Sequence, residues 1–229
     1  MKQYPCPSCG AQVVFRTSIA AYAVCPYCHT MLVRDDDNLK KIGEMAQLPD
    51  DMSPFQIGTG GVYNGVHFGI VGRLKIGWAE GSWNEWFIVS DDGRKGWLAE
   101  AQGFYSPCFE ISAQDAQDDT KQALDDFAEW GKGHRPERWG SRSPLGTDVT
   151  LNGKKYLVVD VQDAECIGCS GELPFSAPQG RKTKSIDLMD NDGGFASIEV
   201  SAEGTRLFIG HYVEWEQLKC SFFREFEGW

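Results

Sequence analysis

Residues 57–74, IGTGGVYNGVHFGIVGRL, align without gaps on residues 145–162, LGTDVTLNGKKYLVVDVQ. Ile57/Leu145, Gly58/Gly146, Thr59/Thr147, Asn64/Asn152, Gly65/Gly153, Phe68/Tyr156, Ile70/Val158 and Val71/Val159 hold equivalent places. A repeat of this kind constrains the fold more than any local propensity, because two similar segments must fold as two similar units. Asn-Gly between β-prone runs specifies a hairpin whose two turn residues have positive φ. Each copy therefore opens with a strand, a tight turn and a longer strand. Copy one continues through WNEWFIVSDDGRKGWLAE, where Trp83, Glu85, Phe87 and Val89 alternate with Asn84, Trp86, Ile88 and Ser90. Copy two continues through KSIDLMDNDGGFASIEVS and LFIGHYVEWEQL. About five short antiparallel strands per copy are expected, forming two related small β-barrel or β-sandwich domains.

The repeat also removes a tempting motif. Gly58, Gly60 and Gly61 suggest a phosphate-cradling loop, but the second copy carries Gly146, Asp148 and Val149 there, and no helical pattern follows either.

Ahead of the repeat, YPCPSCGAQVVFRTSIAAYAVCPYCHTMLVR carries Cys6-x2-Cys9 and Cys25-x2-Cys28, a spacing that suits four thiolates on one zinc ion. Two short strands, around Val13–Phe15 and Tyr22–Val24, are expected to form a hairpin about Thr17-Ser18. Some thirty residues hold too little apolar core to fold alone, so Zn2+ supplies most of the folding free energy. Redox chemistry at Cys25-Pro-Tyr-Cys28 is the rival, but that requires a low-pKa cysteine at a helix N-terminus in a βαβ unit. His29 could stand in for Cys28, although a turn residue is the plainer assignment. Cys166 and Cys169 form a further pair, open to a second metal site with Cys108 or Cys220, to redox cycling, or to inertness.

The expected organisation is a zinc ribbon over 1–34, an acidic linker over 35–54 with a helical turn about Leu39, Ile42, Met45 and Ala46, and repeat one over 55–112. A helix and basic connection follow over 113–143, then repeat two with an aromatic tail over 144–229. The helix lies in SAQDAQDDTKQALDDFAEWGK, capped by Ser112, with Leu124, Phe127, Ala128 and Gly131 on one face. His134, Arg135 and Arg138 in the connection could meet an anion, but a solvated linker is the plainer assignment.

The net charge of −11 opposes general affinity for nucleic acid or an anionic membrane. No apolar run is long enough to span a bilayer, and no signal-peptide core precedes the cysteines, so a cytoplasmic protein is expected. No nucleophile or acid–base constellation stands out, and four cysteines leave zinc no open position. A non-enzymatic adaptor is the better expectation, with Trp83, Trp86, Trp97, Phe226 and Trp229 as its candidate partner surface. The alternative is an enzyme or binding protein for a cationic small molecule such as a polyamine.

Beyond the cysteines, the chain resembles a bacterial family catalogued as domain of unknown function 4178, in tandem copies behind a zinc ribbon. The resemblance rests on Ile57-Gly58-Thr59, Trp83–Trp86, GELPF (171–175), SIDL (185–188), GFASIEVS (194–201) and LFIGHYV (207–213). It implies a soluble cytoplasmic protein without an assigned reaction, encoded beside phage-shock-type membrane-stress proteins, small membrane proteins and polyamine-synthesis-like enzymes. The implied partner is a protein, and a membrane-associated one is within that expectation. Cys166 and Cys169 fall outside the family pattern.

Overall fold

The two Asn-Gly turns form as the sequence requires: Asn64 and Gly65 have φ of 50° and 78°, and Asn152 and Gly153 have 49° and 77°. A computed structural model of the chain describes residues 1–226 except 37, 46, 49, 50, 137, 138 and 140–142. Copy one contributes β6 (Gly60–Tyr63), β7 (Val66–Trp78), β8 (Gly81–Ser90), β9 (Lys95–Ala101) and β10 (Phe104–Glu110). Copy two contributes β11 (Asp148–Leu151), β12 (Lys154–Leu173), β13 (Lys182–Met189), β14 (Gly194–Ser201) and β15 (Gly204–His211). The protein is mainly β, with one α-helix among the described residues, α1 (Asp118–Gly131), between the copies.

The likeness of the copies extends to their irregularities. A β-bulge interrupts β7 against β8 at Val71, and another interrupts β12 against β13 at Val159, its equivalent. Before each first hairpin, Gly58 N–H donates to Ile70 O at 2.8 Å and Gly146 N–H to Val158 O at 2.9 Å. The glycine-rich stretch of copy one is thus strand and turn in both places.

The copies share one sheet. In copy one the pairing runs β7-β8-β9-β10, in copy two β12-β13-β14-β15. One seam joins β10 to β15, with Phe109 opposite Ile209. The other joins β7 to β12, with Gly77 opposite Glu165. The eight strands thereby form a closed ring, which leaves neither copy with a long open edge.

Both faces of this ring are buried. Inside it lie Leu74, Ile76, Phe87, Trp97, Cys166, Cys169, Phe195 and Phe208. Outside copy two, α1 presses Ala123 and Phe127 on Val158, Ile186, Leu188 and Ile198. Outside copy one, Phe55 and the C-terminal segment, through Trp215 and Leu218, cover Ile70, Trp86, Ile88 and Leu98. Each side chain buried in this way is worth about 2 kcal/mol.

The helix starts later than expected. Ser112 Oγ closes the preceding turn by accepting from Asp115 N at 3.3 Å. The cap position belongs to Gln117, whose N–H donates to Asn152 Oδ1 at 2.9 Å, while Asp119 accepts from Gly153 N at 2.8 Å. The hairpin turn of copy two therefore receives the helix N-terminus, and this contact with Gly153 leads in holding the Asp119 carboxyl below its usual range. In the basic connection His134 pairs with Glu129 at 2.6 Å, and Arg138 lies outside the described residues.

Residues 38–44 are not linker and hold no helical turn. β4 (Thr30–Asp35) and β5 (Asn38–Glu44) form a hairpin, with Asp36 in the left-handed region at its turn, and Leu39 is buried in the ribbon. A tight turn at Asp36 outweighs the weak helical spacing of Leu39 and Ile42. Of the other residues assigned to that helical turn, Met45 packs into the core of the ring and Ala46 lies outside the described residues.

Two predictions follow from the closed ring. A Cβ on Gly72, in the β7–β12 seam, would stand 1.8 Å from the carbonyl oxygen of Glu172, whereas one on Gly69 would meet nothing within 4 Å. Gly72→Ala is expected to cost about 3 kcal/mol or more in thermal or urea unfolding, with Gly69→Ala close to wild type. Glu85 and Asp187 also point into the ring, where burial, reinforced by nearby carboxylates, pushes Glu85 up to about 8 and Asp187 up to about 6. An acid with a raised folded pKa stabilises the fold at low pH, and that contribution is lost as pH climbs from the ordinary carboxylate range towards 8. Glu85→Gln should therefore raise the melting temperature at pH 9 relative to wild type and leave it nearly unchanged at pH 5.

Candidate metal centre

Two short hairpins build the cysteine cluster. β1 (Lys2–Pro5) pairs with β2 (Gln12–Phe15), and β3 (Tyr22–Val24) pairs with β4. The expected hairpin between β2 and β3 does not form, because each Cys-Pro-x-Cys turn itself joins a pair of strands. The turns match bond for bond. Cys6 N donates to Ala11 O at 2.8 Å and Gly10 N to Cys6 O at 2.8 Å; Cys25 N donates to Thr30 O at 2.9 Å and His29 N to Cys25 O at 3.0 Å. His29, at φ 55°, occupies the left-handed place that Gly10 takes at 78°, so it is a turn residue.

This framework brings the sulfurs of Cys6, Cys9, Cys25 and Cys28 within 4.8 Å of one another. Cys6 Sγ lies 3.7 Å from Cys28 Sγ, and Cys9 Sγ lies 3.8 Å from Cys25 Sγ. A tetrahedron with metal–sulfur bonds of about 2.3 Å has edges of about 3.8 Å, so the four sulfurs fit a single ion. Without a cation these thiols conflict. Hydrogen bonds from the Thr30 hydroxyl, at 3.2 Å, and from its backbone draw Cys28 down to about 6. Cys9 keeps a favourable backbone contact at Ala11, yet the crowding of Cys28, burial and the other two thiols push it up to about 12. A divalent ion at this site would remove the conflict by stabilising all four thiolates together.

The ribbon is joined to the ring at one buried carboxylate. Glu172 is 1% exposed; it accepts from Arg16 N at 2.7 Å, from Thr17 N at 3.0 Å and from Thr17 Oγ1 at 3.1 Å. The next residues along continue the contact, with Leu173 opposite Tyr22 and Glu172 opposite Ala23. One strand, β12, thus spans copy two, the seam to copy one and the ribbon. Sequence reasoning missed Glu172, although it stands in the GELPF stretch.

The other candidate residues lie elsewhere. Cys166 and Cys169 are buried in the ring, and both thiols donate to Ala177 O at 3.6 Å. Burial pushes Cys169 up to about 12, which makes it a poor nucleophile. Cys108 is buried as well, and among the described residues only the N-terminal quartet forms a metal-ligand cluster. Trp86 and Trp97, 2% and 6% exposed, are core residues and not a partner surface: Trp86 Nε1 donates to Glu100 at 2.9 Å, and Trp97 packs on Phe87. Trp83 is half-buried, with Nε1 bonded to Glu85 at 2.8 Å. Phe226 is half-buried beside Arg224, and Trp229 lies outside the described residues. Up to Arg224 the tail docks on its own chain: Ser221 N donates to Gly60 O at 2.9 Å and Arg224 N to Pro54 O at 2.9 Å. No helix among the described residues is long and apolar enough to cross a membrane.

Fold and site together define a mainly β protein, with two similar halves in one closed ring, that carries a four-cysteine cluster able to hold a metal ion on a docked N-terminal ribbon. The chain belongs to the family described as domain of unknown function (DUF4178), whose model matches residues 56–215 as one stretch that takes in both halves of the ring; the ribbon lies outside the match. No curated protein and no solved structure matches it.

Glu172→Gln tests the joint between ribbon and ring. The amide keeps one acceptor oxygen but turns an NH2 group towards backbone donors, at a cost of about 2–4 kcal/mol. Chelator-driven metal release should be faster than wild type, with metal stoichiometry unchanged at the outset.

Proposed function

We propose that the quartet holds one structural Zn2+ and that the protein is a non-enzymatic adaptor which binds a protein partner. The observation that carries this reading is the sulfur geometry. All four corners of a tetrahedron are supplied by the chain, so a bound ion keeps no open position for water or substrate, and catalytic zinc needs one. The other reactive-looking groups also argue for surfaces over chemistry, since Cys108, Cys166 and Cys169 are buried. Action in the cytoplasm, on a partner from a membrane-stress assembly, extends the proposal and rests on the family resemblance alone.

The alternative, a site for a polyamine-like cation, has less support. A cavity of about 100 Å3 opens between the copies, but Lys95 and Arg206 stand in its lining beside Glu110, Trp97 and Phe175. Arg206 lies 4.2 Å above the Phe175 ring, where a cationic ligand would be repelled.

Elemental analysis of the purified chain should give one zinc per molecule, and Cys9→Ser should lose it. Proximity labelling in cells should then recover a protein partner with wild type and less of it with Cys9→Ser. Absence of metal would remove the structural-zinc reading, and tight stoichiometric heat on titration with spermidine would overturn the adaptor.

A further inference from the structure

The three cations of residues 1–34, far apart in sequence, line one groove. Lys2, Arg16 and Arg34 border a cleft of about 540 Å3 whose walls include Tyr4, Phe15 and Asp36. This volume lies within the range of ligand-binding clefts. Arg34 is held rigidly there. Its Nη2 donates to Ser18 O at 2.7 Å, and the guanidinium carbon lies 5.5 Å from the centre of the Phe15 ring. Among the described residues no carboxylate pairs with Arg34. The nearest acid to Arg16 is Glu172, at 3.9 Å, and that carboxylate is already engaged by the backbone of the ribbon loop. Two guanidinium groups therefore border the groove, Arg34 over the Phe15 ring and Arg16 paired at 3.9 Å with the already engaged Glu172, on a chain whose net charge is −11.

The ligand follows from the size and sign of this patch. Three cations are too few to track a nucleic-acid backbone, and the acidic remainder of the chain repels any long polyanion. The same count is too small for a vesicle surface, where each basic residue adds little and flat contact is needed. A short acidic segment fits better, with carboxylates for the guanidinium groups, while Phe15 and Tyr4 beneath them stay buried in the ribbon core. The neighbouring backbone is extended as well, since β1 pairs with β2 in a two-stranded sheet apart from the main one.

We propose that this groove docks an extended acidic peptide segment of a partner protein. The proposal rests on the adaptor reading and gives that reading a surface. The test uses the full metal-loaded chain and two fluorescein-labelled probes of equal length, one alternating Glu with Phe and one alternating Lys with Phe, followed by anisotropy. The acidic probe should bind and the basic one should not. Raising salt from about 50 mM to about 500 mM should weaken binding about tenfold. Lys2→Glu and Arg34→Gln should each weaken it about tenfold with zinc content unchanged. Equal binding of both probes, indifference to the two substitutions, or a preference for anionic vesicles or single-stranded RNA would overturn the proposal. A cellular partner that Lys2→Glu still recovers in proximity labelling would remove the groove and leave the adaptor standing.

Discussion

The buried carboxylate of Glu172 is the constraint on which the arrangement of the parts depends. It lies at the end of β12, where that strand leaves copy one and meets the ribbon, and it is satisfied by backbone donors of the ribbon loop. A carboxylate this deeply buried is tolerable only when fully hydrogen-bonded, so the position of residues 16 and 17 is fixed by the cost of leaving it unpaired. The same residue leaves no room beside its backbone: a side chain on Gly72 would overlap its carbonyl, and one on Gly171 would stand 2.5 Å from Val71 O. Close approach at the seam and docking of the ribbon are thus parts of one local structure. The stretch GELPF, through which the chain resembles its family, is this joint.

Duplication explains the ring, and departures from duplication explain what the ring carries. Two five-strand units joined edge to edge by equivalent strands close without a long free edge. Their outer faces are still apolar and need covers, and the covers differ. Copy two takes α1, seated on its own Asn152-Gly153 turn; copy one takes Phe55 and the C-terminal segment. The third departure is the length of β12, 20 residues against 13 in β7. That extra reach makes the strand a platform for the ribbon.

Much of this was legible in the sequence, and for physical reasons. Asn-Gly turns, period-two alternation in Trp83–Ser90 and the Cys-x2-Cys pairs are local signals, set by backbone sterics and by the geometry of sulfur ligands. The quartet assembles as the spacing implied. What stayed hidden was long-range. Nothing near Glu172 in sequence marks its contact with residues 16 and 17, and a tryptophan at a strand position reads alike whether it faces solvent, as expected of Trp86 and Trp97, lies under a cover supplied from more than 100 residues away, as Trp86 does, or sits inside the ring, as Trp97 does. The closed ring was hidden for the same reason, since strand pairing between copies leaves no trace in either copy alone.

The ribbon shows what a metal in the cysteine cluster, as proposed, would do for the architecture beyond the N-terminus. Its apolar core is small, centred on Val13, Phe15, Leu32 and Leu39 with two of the cysteines. Such a core cannot by itself hold four thiolates, two turns and a docked loop in register. An ion that binds all four sulfurs orders both turns at once, and ordering of Cys25–Thr30 sets the start of β4 and the exit of β3 towards β12. Because Met31 and Met45 of this unit pack into the core of the ring, loss of metal would loosen apolar contacts beyond the ribbon. The coupling must also run in reverse: a ring that presents Glu172 correctly favours the metal-bound form of the ribbon, and each stabilises the other by the same free energy.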